Sequence, residues 1–455
     1  NTDEIVENAI VKMLEELDPH SIYFSAEELK EANEPLDGSF EGVGIQFNIF
    51  KDTIMVVTPI AGGPSERLGI MPGDRIVQVE DEPTAGVDIT NKDVIRLLKG
   101  PKGTKVKVFI KRDGEKGLLE FNITRDKIPI YSVVASHMID ERIGYVKINR
   151  FAKTTINELR SALTELKDSG MKDLILDLQG NGGGMLRTAI NMSDEFLSDD
   201  KLIVYTEGRA FPRENTYASY DGLFEKGRLV ILVDEGSASA SEIVSGALQD
   251  NDRGLVIGRK SFGKGLVQEQ ISLNDGSVIR LTTQRYYTPS GRCIQKNYGN
   301  NPKDYYLEQY TRSNTSINHA DSLRYTTKKG RHVYGGGGIT PDIIIAKDTN
   351  ANYLQINTIM SKGWINEFCF EESELLKTKN VNSYKQINIK NIYTKFIQYL
   401  KQKDHKLNLT LGDTELKFLE TLLLANISRN LWSNDIYYKV LSQEDEYIKS
   451  AINNF

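Results

Sequence analysis

The chain contains few of the residues that mark metal-bound or disulfide-rich proteins. Its 455 residues include two cysteines, Cys293 and Cys369, which do not form a Cys-x-x-Cys pair. Neither a disulfide framework nor a zinc motif is therefore indicated. A single disulfide between the two is left open, and their number assigns no redox compartment. The five histidines are too widely spaced in sequence to share a metal, and we expect neither a metal nor another cofactor.

Long apolar runs and an excess of positive charge are also missing. The longest apolar stretches, LILDL and LVILV, are much shorter than the roughly 20 residues that a membrane-spanning helix needs. The net charge of −6 gives no reason to expect a nucleic-acid partner. The chain begins at Asn1 without a methionine, and we expect that a targeting segment has been removed.

The hydrophobic pattern predicts a mixed α/β protein of several domains. Residues 1–40 show helical spacing, and residues 41–127 form a small module rich in strand patterns. Residues 128–348 alternate strands with amphipathic helices, which is typical of a βαβ core. Residues 349–455 are predicted to form a mostly helical accessory domain. Ligands of such cores bind at the carboxyl ends of the strands, so we expect the site in the loops after LILDL and LVILVD.

The strand-rich module resembles a bacterial PDZ domain in the segments FEGVGIQF, AGGPSERLGIMPGDRIVQVEDEP and LLKGPKGTKV, and the resemblance implies peptide binding. A glycine-rich turn before a strand exposes successive N–H groups that can hold a terminal carboxylate, while an open strand edge accepts the peptide. The predicted carboxylate loop is Gly42, Val43, Gly44 and Ile45. The following helix, TNKDVIRLLKG, places three apolar residues where they line or underpin a pocket: Val94, Leu97 and Leu98. The alternative is that all seven residues serve only as turn and core.

The stretch GRKSFGKGLVQ suggests a nucleotide site at first sight. Gly258, four further residues and Gly263-Lys264 match the start of a phosphate-binding loop. Gly265 follows where a Ser or Thr must hold magnesium, and a strand pattern stands where the phosphate-binding helix is needed. We therefore disfavour an ATPase or GTPase, and the lysine between two glycines requires another role.

A serine nucleophile at the start of a helix would give Lys264 that role. After LVILVD comes EGSASASEIVSGAL, in which Ser239 lies at the junction of a small-residue turn and a helix. Backbone N–H groups at such a helix start can stabilise an oxyanion. No histidine is near in sequence, whereas a buried lysine with a lowered pKa can accept the serine proton. Gln268, four residues after the lysine, is placed to orient its amine.

Several segments together resemble the carboxy-terminal processing, or tail-specific, serine proteases with an embedded PDZ domain. The segments are FEGVGIQF, AGGPSERLGIMPGDRIVQVEDEP, LLKGPKGTKV, LILDLQGNGGG, DEGSASASEIVSGALQDNDRGLVIGRKSFGKGLVQ, RYYTPSGRCIQ and YGGGGITPD. The resemblance extends over about residues 20 to 345. It implies that Ser239 is the nucleophile, Lys264 the general base and Gln268 its support. The implied oxyanion donors are the N–H of Ala240 and that of a loop glycine, either Gly183 or Gly182. Many members have Arg where this chain has Gln179 and Pro where it has Gly182, which makes the loop the least secure part of the assignment.

The resemblance also implies a fold, an activity and a location. The fold would be a ClpP/crotonase-like α/β protease core with an inserted PDZ domain and helical N- and C-terminal regions. The activity would be a serine endopeptidase that cuts proteins at or near their C-termini, while the PDZ domain binds the substrate C-terminus and gates the site. Expected partners are substrates with free C-termini, a second copy in a homodimer, and an adaptor protein; the expected location is the bacterial cell envelope, in the periplasm. The alternative is a non-catalytic, peptide-binding scaffold that retains the protease fold.

Overall fold

The computed structural model describes residues 2–299, 302–311, 323–347, 352–405, 407 and 409–455. The predicted boundary between residues 348 and 349 lies outside the described residues. The helices are α1 Thr2–Glu15, α2 Ala26–Asp37, α3 Pro64–Arg67, α4 Asn91–Leu98, α5 Thr155–Asp168, α6 Leu186–Asp194, α7 Ala240–Asp250, α8 Pro302–Thr311, α9 Leu354–Ser361, α10 Trp364–Lys377, α11 Ile389–Lys403, α12 Asp413–Leu431, α13 Asn434–Ser442 and α14 Glu446–Asn453. None of the helices in the described part of the chain has the length and apolar character required to cross a membrane.

The strands fall into three larger sheets and two small pairs among the described residues. The strands are β1 Ile22–Phe24, β2 Ser39–Gly42, β3 Ile45–Ile49, β4 Ile54–Pro59, β5 Arg75–Val79, β6 Glu82–Pro83, β7 Lys105–Lys111, β8 Leu119–Thr124, β9 Asp126–Pro129, β10 Val133–Met138, β11 Ile143–Ile148, β12 Asp173–Asp177, β13 Leu202–Glu207, β14 Glu214–Tyr217, β15 Leu229–Val233, β16 Leu255–Gly258, β17 Leu266–Ser272, β18 Val278–Tyr287, β19 Arg324–Thr326, β20 His332–Tyr334 and β21 Ile343–Ile344.

The central sheet has the order β10-β11-β12-β15-β16-β21 and is parallel apart from β10. Every residue of β12 and β15 is buried, as their nearly unbroken apolar sequences predict for strands covered on both faces. Helices α5, α6 and α7 pack on one face. The other face, with Ile175 and Leu232, packs against Tyr447 and Ile448 of α14. The C-terminal region therefore supplies the second covering layer of the core.

A second sheet carries the segment around Lys264. Its order is β1-β18-β13-β14, and β17 pairs with β18. Strands β17 and β18 form the predicted hairpin, in which Gln268 lies opposite Thr282. The N-terminal strand β1 pairs with β18 over Val278 to Arg280. Residues 22–24 are thus part of the same sheet as the lysine segment, although more than 230 residues separate them in sequence.

The predicted peptide-binding module forms a sheet of its own. Its order is β3-β4-β5-β7-β8, with β6 on β5, so β3 is an edge strand. A separate hydrophobic cluster lies between this sheet and α4. The pair β2–β9 closes the module at its base, where Gly42 lies opposite Asp126. Thr90 caps α4 through a capping box with Asp93, as the sequence predicts.

The C-terminal residues form a helical region with its own apolar cluster. Helices α9 to α12 bury side chains such as Ile356, Phe368, Phe396 and Leu423. Ion pairs tie the helices together, as between Lys395 and Glu372. Cys369 is fully buried here and Cys293 is half-buried in the core; both are free thiols.

Candidate active site

Ser239 stands at the carboxyl end of the central sheet in an unusual backbone conformation. It follows β15 by six residues and directly precedes α7. Its φ of 56° and ψ of −111° place a non-glycine residue in the left-handed half of the map, which costs energy and is concentrated at functional sites. The N–H of Ala240 is the first of α7 and has no intrahelical acceptor. The turn therefore combines a serine in a strained conformation with an available backbone donor.

The glycine loop after β12 packs directly on this turn. A Cβ at Gly183 would lie 2.8 Å from Ala238 O and 2.9 Å from Ser239 Cβ, so only glycine fits at this φ of +101°. Buried Asn181 joins the two loops, because its carbonyl accepts bonds from Ala238 N (3.0 Å) and Ser241 Oγ (2.8 Å). The Gly183 N–H donates to Asn181 Oδ1 at 2.9 Å. Gly182 is exposed and has open space around it. An oxyanion role for Gly183 thus requires that its N–H leave Asn181.

The backbone at Lys264 is held by close contacts at the glycines on both sides of it. Gly263 has a φ of +94°, and a Cβ there would lie 3.0 Å from both Gly337 C and Gly338 N. A Cβ at Gly265 would lie 2.8 Å from Gln295 N. Both glycines that flank the lysine are therefore required by close backbone approach. The contact at Gly263 is made by Gly337 and Gly338 of the segment YGGGGITPD.

The Lys264 ammonium is half-buried and bonded to Gln268. Its Nζ donates to Gln268 Oε1 at 2.9 Å. Burial lowers the pKa of Lys264, and the positive charge of Arg280 lowers it further, whereas Asp18 and Glu242 act in the opposite direction. Among the hydrogen bonds of the described residues, none joins Lys264 Nζ to Ser239 Oγ. The lysine amine is therefore held by Gln268 and makes no hydrogen bond to the Ser239 hydroxyl in this arrangement.

Glu242, which the sequence analysis did not select, connects the serine turn to the lysine turn. Its side chain is fully buried, and Oε2 accepts bonds from Ser239 N (2.8 Å) and Lys264 N (2.9 Å). The other oxygen accepts from Gly263 N (2.7 Å) and Ser261 Oγ (2.5 Å). Burial raises the pKa of Glu242, while these four donors lower it. The spacing Ser-x-x-Glu of a capping box was the available signal in the sequence.

Ser261 and Tyr286 also contact the residues that join the serine turn to the lysine turn. Ser261 stands three residues before Lys264, a Ser-x-x-Lys spacing, yet it is fully buried and its hydroxyl donates to Glu242. Its hydroxyl is therefore engaged in a structural hydrogen bond and does not serve as a nucleophile. The buried Tyr286 hydroxyl lies 3.0 Å from Ser239 O and 2.5 Å from Lys264 O. Only the folded chain brings Tyr286 to these two residues, so no local pattern could have identified it.

A histidine does approach the site, although none is near in sequence. The backbone oxygen of His20 accepts a bond from Gln268 Nε2 at 2.6 Å. The His20 ring is bonded to Tyr305 Oη at 2.7 Å, and burial lowers its pKa to about 4. The ring is therefore neutral near pH 7 and its hydrogen bond is made to a tyrosine. In the described part of the chain no cluster of His, Cys, Asp and Glu suitable for a metal ion occurs.

The predicted peptide-binding residues lie between β3 and α4. Gly44 has a φ of +75°, and a Cβ there would lie 2.9 Å from Ile128 Cδ1. The carbonyl of Val43 accepts bonds from both Ser65 N and Ser65 Oγ, which fixes the turn. Gly42 is buried and paired in β2, and Ile45 begins the edge strand β3. The three helix residues belong to the buried cluster of the module and underpin the groove: Val94, Leu97 and Leu98.

Comparison with known proteins identifies both parts of this arrangement. Residues 142–306 match the model of peptidase family S41, and residues 55–112 match that of the PDZ domain. The carboxy-terminal processing protease CtpA of Bacillus subtilis is 38% identical over 295 residues, which are 65% of this chain and 62% of that protein. The carboxy-terminal-processing protease of Bartonella bacilliformis is 37% identical over 300 residues, which are 64% of this chain and 67% of that one. The chain belongs to the carboxy-terminal processing protease family.

Solved structures give further similarities. The photosystem II D1 C-terminal processing protease is 28% identical with a TM-score of 0.41, and the alignment covers 75% of this chain and 81% of that one. The PDZ domain of a Vibrio cholerae carboxy-terminal protease, solved with a peptide, is 36% identical with a TM-score of 0.18 over 20% of this chain and 97% of that one. The present chain spans about three fifths of the length of the Bacillus subtilis family member. The mixed α/β fold with a PDZ domain and helical terminal regions is that expected from the resemblance.

Proposed function

We propose that the protein is a serine endopeptidase in which Ser239 is the nucleophile and Lys264 the general base. The observation that carries the proposal is the half-buried Lys264–Gln268 pair, whose turn shares the carboxylate of Glu242 with the Ser239 turn. A lysine with a lowered pKa and a serine at a strained helix start are the two groups that a Ser–Lys mechanism needs. The test is proteolysis of an unfolded protein by the wild type and by Ser239→Ala.

The mechanism follows from these positions. The neutral Lys264 amine takes the Ser239 hydroxyl proton as Oγ attacks the scissile carbonyl, and the carbonyl oxygen becomes an oxyanion. The Ala240 N–H, joined by the Gly183 N–H once it leaves Asn181, stabilises that charge. The lysine then gives its proton to the leaving amine, and an ester on Ser239 remains. Water, deprotonated by the same amine, hydrolyses the ester and restores the serine.

The pH dependence of the reaction should reveal the base. Only the neutral amine accepts the serine proton, so kcat/KM is expected to rise with pH through the pKa of Lys264. Arg280→Gln removes the cation that lowers this pKa. The pKa then rises, and the ascending limb moves to higher pH. Arg280→Lys retains the charge and should leave the limb in place.

Two controls separate this limb from other titrations. His20 and His137 both have pKa values lowered to about 4 by burial, so His20→Ala and His137→Ala should leave the limb unchanged. A limb that disappears with either histidine would contradict the lysine as base. The remaining charged groups that act on Lys264, Asp18 and Glu242, carry the opposite sign to Arg280.

We propose further that the PDZ domain binds a substrate C-terminus and gates the protease. A chain of contacts links the module to the glycine loop. Lys99, at the end of α4, pairs with Glu34 of α2 at 2.5 Å. The end of α2 accepts a backbone bond from Lys153 N at Leu36 O, and Phe151 N donates to Gly183 O. This route supports the proposed gating, because a ligand that moves α4 would act on contacts that reach Gly183.

A peptide with a free, apolar C-terminus is expected to increase cleavage of a separate reporter substrate severalfold. Its amidated form should activate less, because the N–H groups of the carboxylate loop lose their anion. Glu34→Gln breaks the ion pair with Lys99 and should reduce activation while basal cleavage persists. Reporter cleavage with and without each peptide is the measurement. Passive recruitment predicts competition instead, so inhibition by the free peptide would contradict gating.

A non-catalytic scaffold is the alternative function. It would bind peptides through the PDZ module and leave the serine unused. The Lys264–Gln268 bond and the depressed pKa of Lys264 favour the enzyme, because a scaffold has no need for a lysine of lowered pKa whose turn is joined to that of a strained serine. Peptide binding without any turnover by the wild type would establish the scaffold.

Location and assembly are proposed from the resemblance. The protein is proposed to act in the periplasm, and cell fractionation that finds activity only in the cytoplasm would refute this.

A homodimer is the proposed assembly, with an adaptor as a further partner. Exposed apolar side chains along α1 (Ile5, Val6 and Met13) support a self-contact through that helix. A monomer in sedimentation analysis at high concentration would exclude the dimer.

A further inference from the structure

The amide of Gln268 is held at both ends. Its oxygen accepts from Lys264 Nζ at 2.9 Å, and its nitrogen donates to the backbone oxygen of His20 at 2.6 Å. These two bonds fix which end of the amide faces the lysine, because a reversed amide would aim its NH₂ at the ammonium. His20 lies 248 residues from Gln268 in sequence. It is outside both segments that match family models, residues 55–112 and 142–306.

The turn that contains His20 is closed by hydrogen bonds to one carboxylate. The buried carboxylate of Asp18 accepts bonds from His20 N (2.8 Å), Ser21 N (3.0 Å) and Ser21 Oγ (2.6 Å). One side chain therefore orders the whole segment Asp18–Ser21. The N–H groups of His20 and Ser21 both donate to Asp18, and the carbonyl of His20 accepts the bond from Gln268.

The same turn is anchored on the strand opposite Gln268. Thr282, the cross-strand partner of Gln268, donates through its N to Ser21 Oγ and through its Oγ1 to Asp18 Oδ1, each at 3.2 Å. Strand β1 then continues the contact by pairing with β18. The carbonyl that orients Gln268 is thus fixed relative to the strand pair that carries Gln268.

From this geometry we propose that the N-terminal turn Asp18–Ser21 is a positioning element of the catalytic centre, which orients Gln268 through the carbonyl of His20. The inference rests on the proposed function, in which Lys264 is the base. Without the turn, the Gln268 amide loses its donor contact and rotates, so Lys264 loses its fixed acceptor. The His20 side chain is not required, because the contact uses its backbone oxygen.

Ser21→Ala provides the first test. It removes the bonds from Ser21 Oγ to Asp18 and from Thr282 N to Ser21 Oγ without changing charge. We expect kcat to fall about tenfold with KM unchanged, since a small misplacement of a catalytic group has effects of this order. Thr282→Val breaks the turn at a second point and should act alike.

Ser25→Ala is the matched control. Ser25 caps α2 four residues beyond Ser21, so this change loosens the same N-terminal segment without touching Gln268. It should lower the melting temperature but leave kcat within about twofold of wild type. Equal losses of kcat in Ser21→Ala and Ser25→Ala would overturn the proposal, because the effect would then be general destabilisation.

A double-mutant cycle with Gln268→Ala tests whether the turn affects kcat through Gln268. If the turn acts through Gln268, Ser21→Ala should have no further effect on kcat in the Gln268→Ala background. Additive losses would overturn the proposal while leaving the Ser–Lys assignment intact. Failure of the proposed function is seen separately, as activity that survives Ser239→Ala.

Discussion

Ser239→Ala and Lys264→Ala are each expected to reduce kcat by at least about a thousandfold while leaving the fold intact. The two residues act as one unit, so removal of either should cost most of the rate, and removal of both should cost little more. Turnover of an unfolded protein, normalised to folded enzyme, is the measurement. Lys264→Arg should be equally inactive, because a guanidinium stays protonated and cannot serve as a base.

Matched controls are available on the surface. Ser169 and Lys167 are exposed near the end of α5, far in sequence from both turns, and their alanine variants should keep wild-type turnover. Comparable turnover by Lys264→Ala would remove the lysine from the mechanism. Activity that persists in Ser239→Ala would remove the nucleophile and with it the whole assignment.

Glu242→Ala is expected to have the largest effect on stability and to abolish turnover as well. The substitution leaves four buried donors, three of them backbone N–H groups, without their acceptor. Each unsatisfied group costs about 1–3 kcal/mol, so the free energy of unfolding should fall by about 3 kcal/mol or more. Denaturant unfolding measures the change.

Two variants qualify the result for Glu242. Glu242→Gln keeps one good acceptor oxygen but aims an NH₂ group at other donors, so it should fall between wild type and alanine. Glu165 is exposed on α5, and Glu165→Ala should change the unfolding free energy by less than about 0.5 kcal/mol. A Glu242→Ala protein as stable as the Glu165→Ala control would show that the carboxylate does not hold the two turns together.

Local patterns predicted the elements that lie close together in sequence. Strand β15 is a continuous apolar run, and β12 has an apolar centre between two aspartates. Helix α4 has its capping box, and the strand-turn-helix junction at Ser239 is readable from a few residues. The pairing of Lys264 with that junction was a hypothesis from chemistry that the resemblance also implied, and the structure connects the two turns through Glu242.

Contacts between distant segments could not be predicted in this way. The bond from Gln268 to the carbonyl of His20 uses a backbone atom that every residue has, so the sequence carries no sign of it. The same is true of Tyr286, whose hydroxyl approaches two carbonyls. The packing of α14 on the central sheet also depends on where the chain returns after about 100 residues of helices, which periodicity does not specify.

That packing of α14 limits how far the protein can be divided. The segment that matches the peptidase model contains β12, β15 and β16. One face of these strands is nevertheless shielded from water by residues that come after position 433. A shortened protein that retained every proposed catalytic group would present Ile175, Val230, Leu232 and Ile257 to water. A contiguous apolar surface of this kind promotes association between molecules. The smallest unit that can be excised and remain soluble is therefore larger than the part of the chain that performs the chemistry.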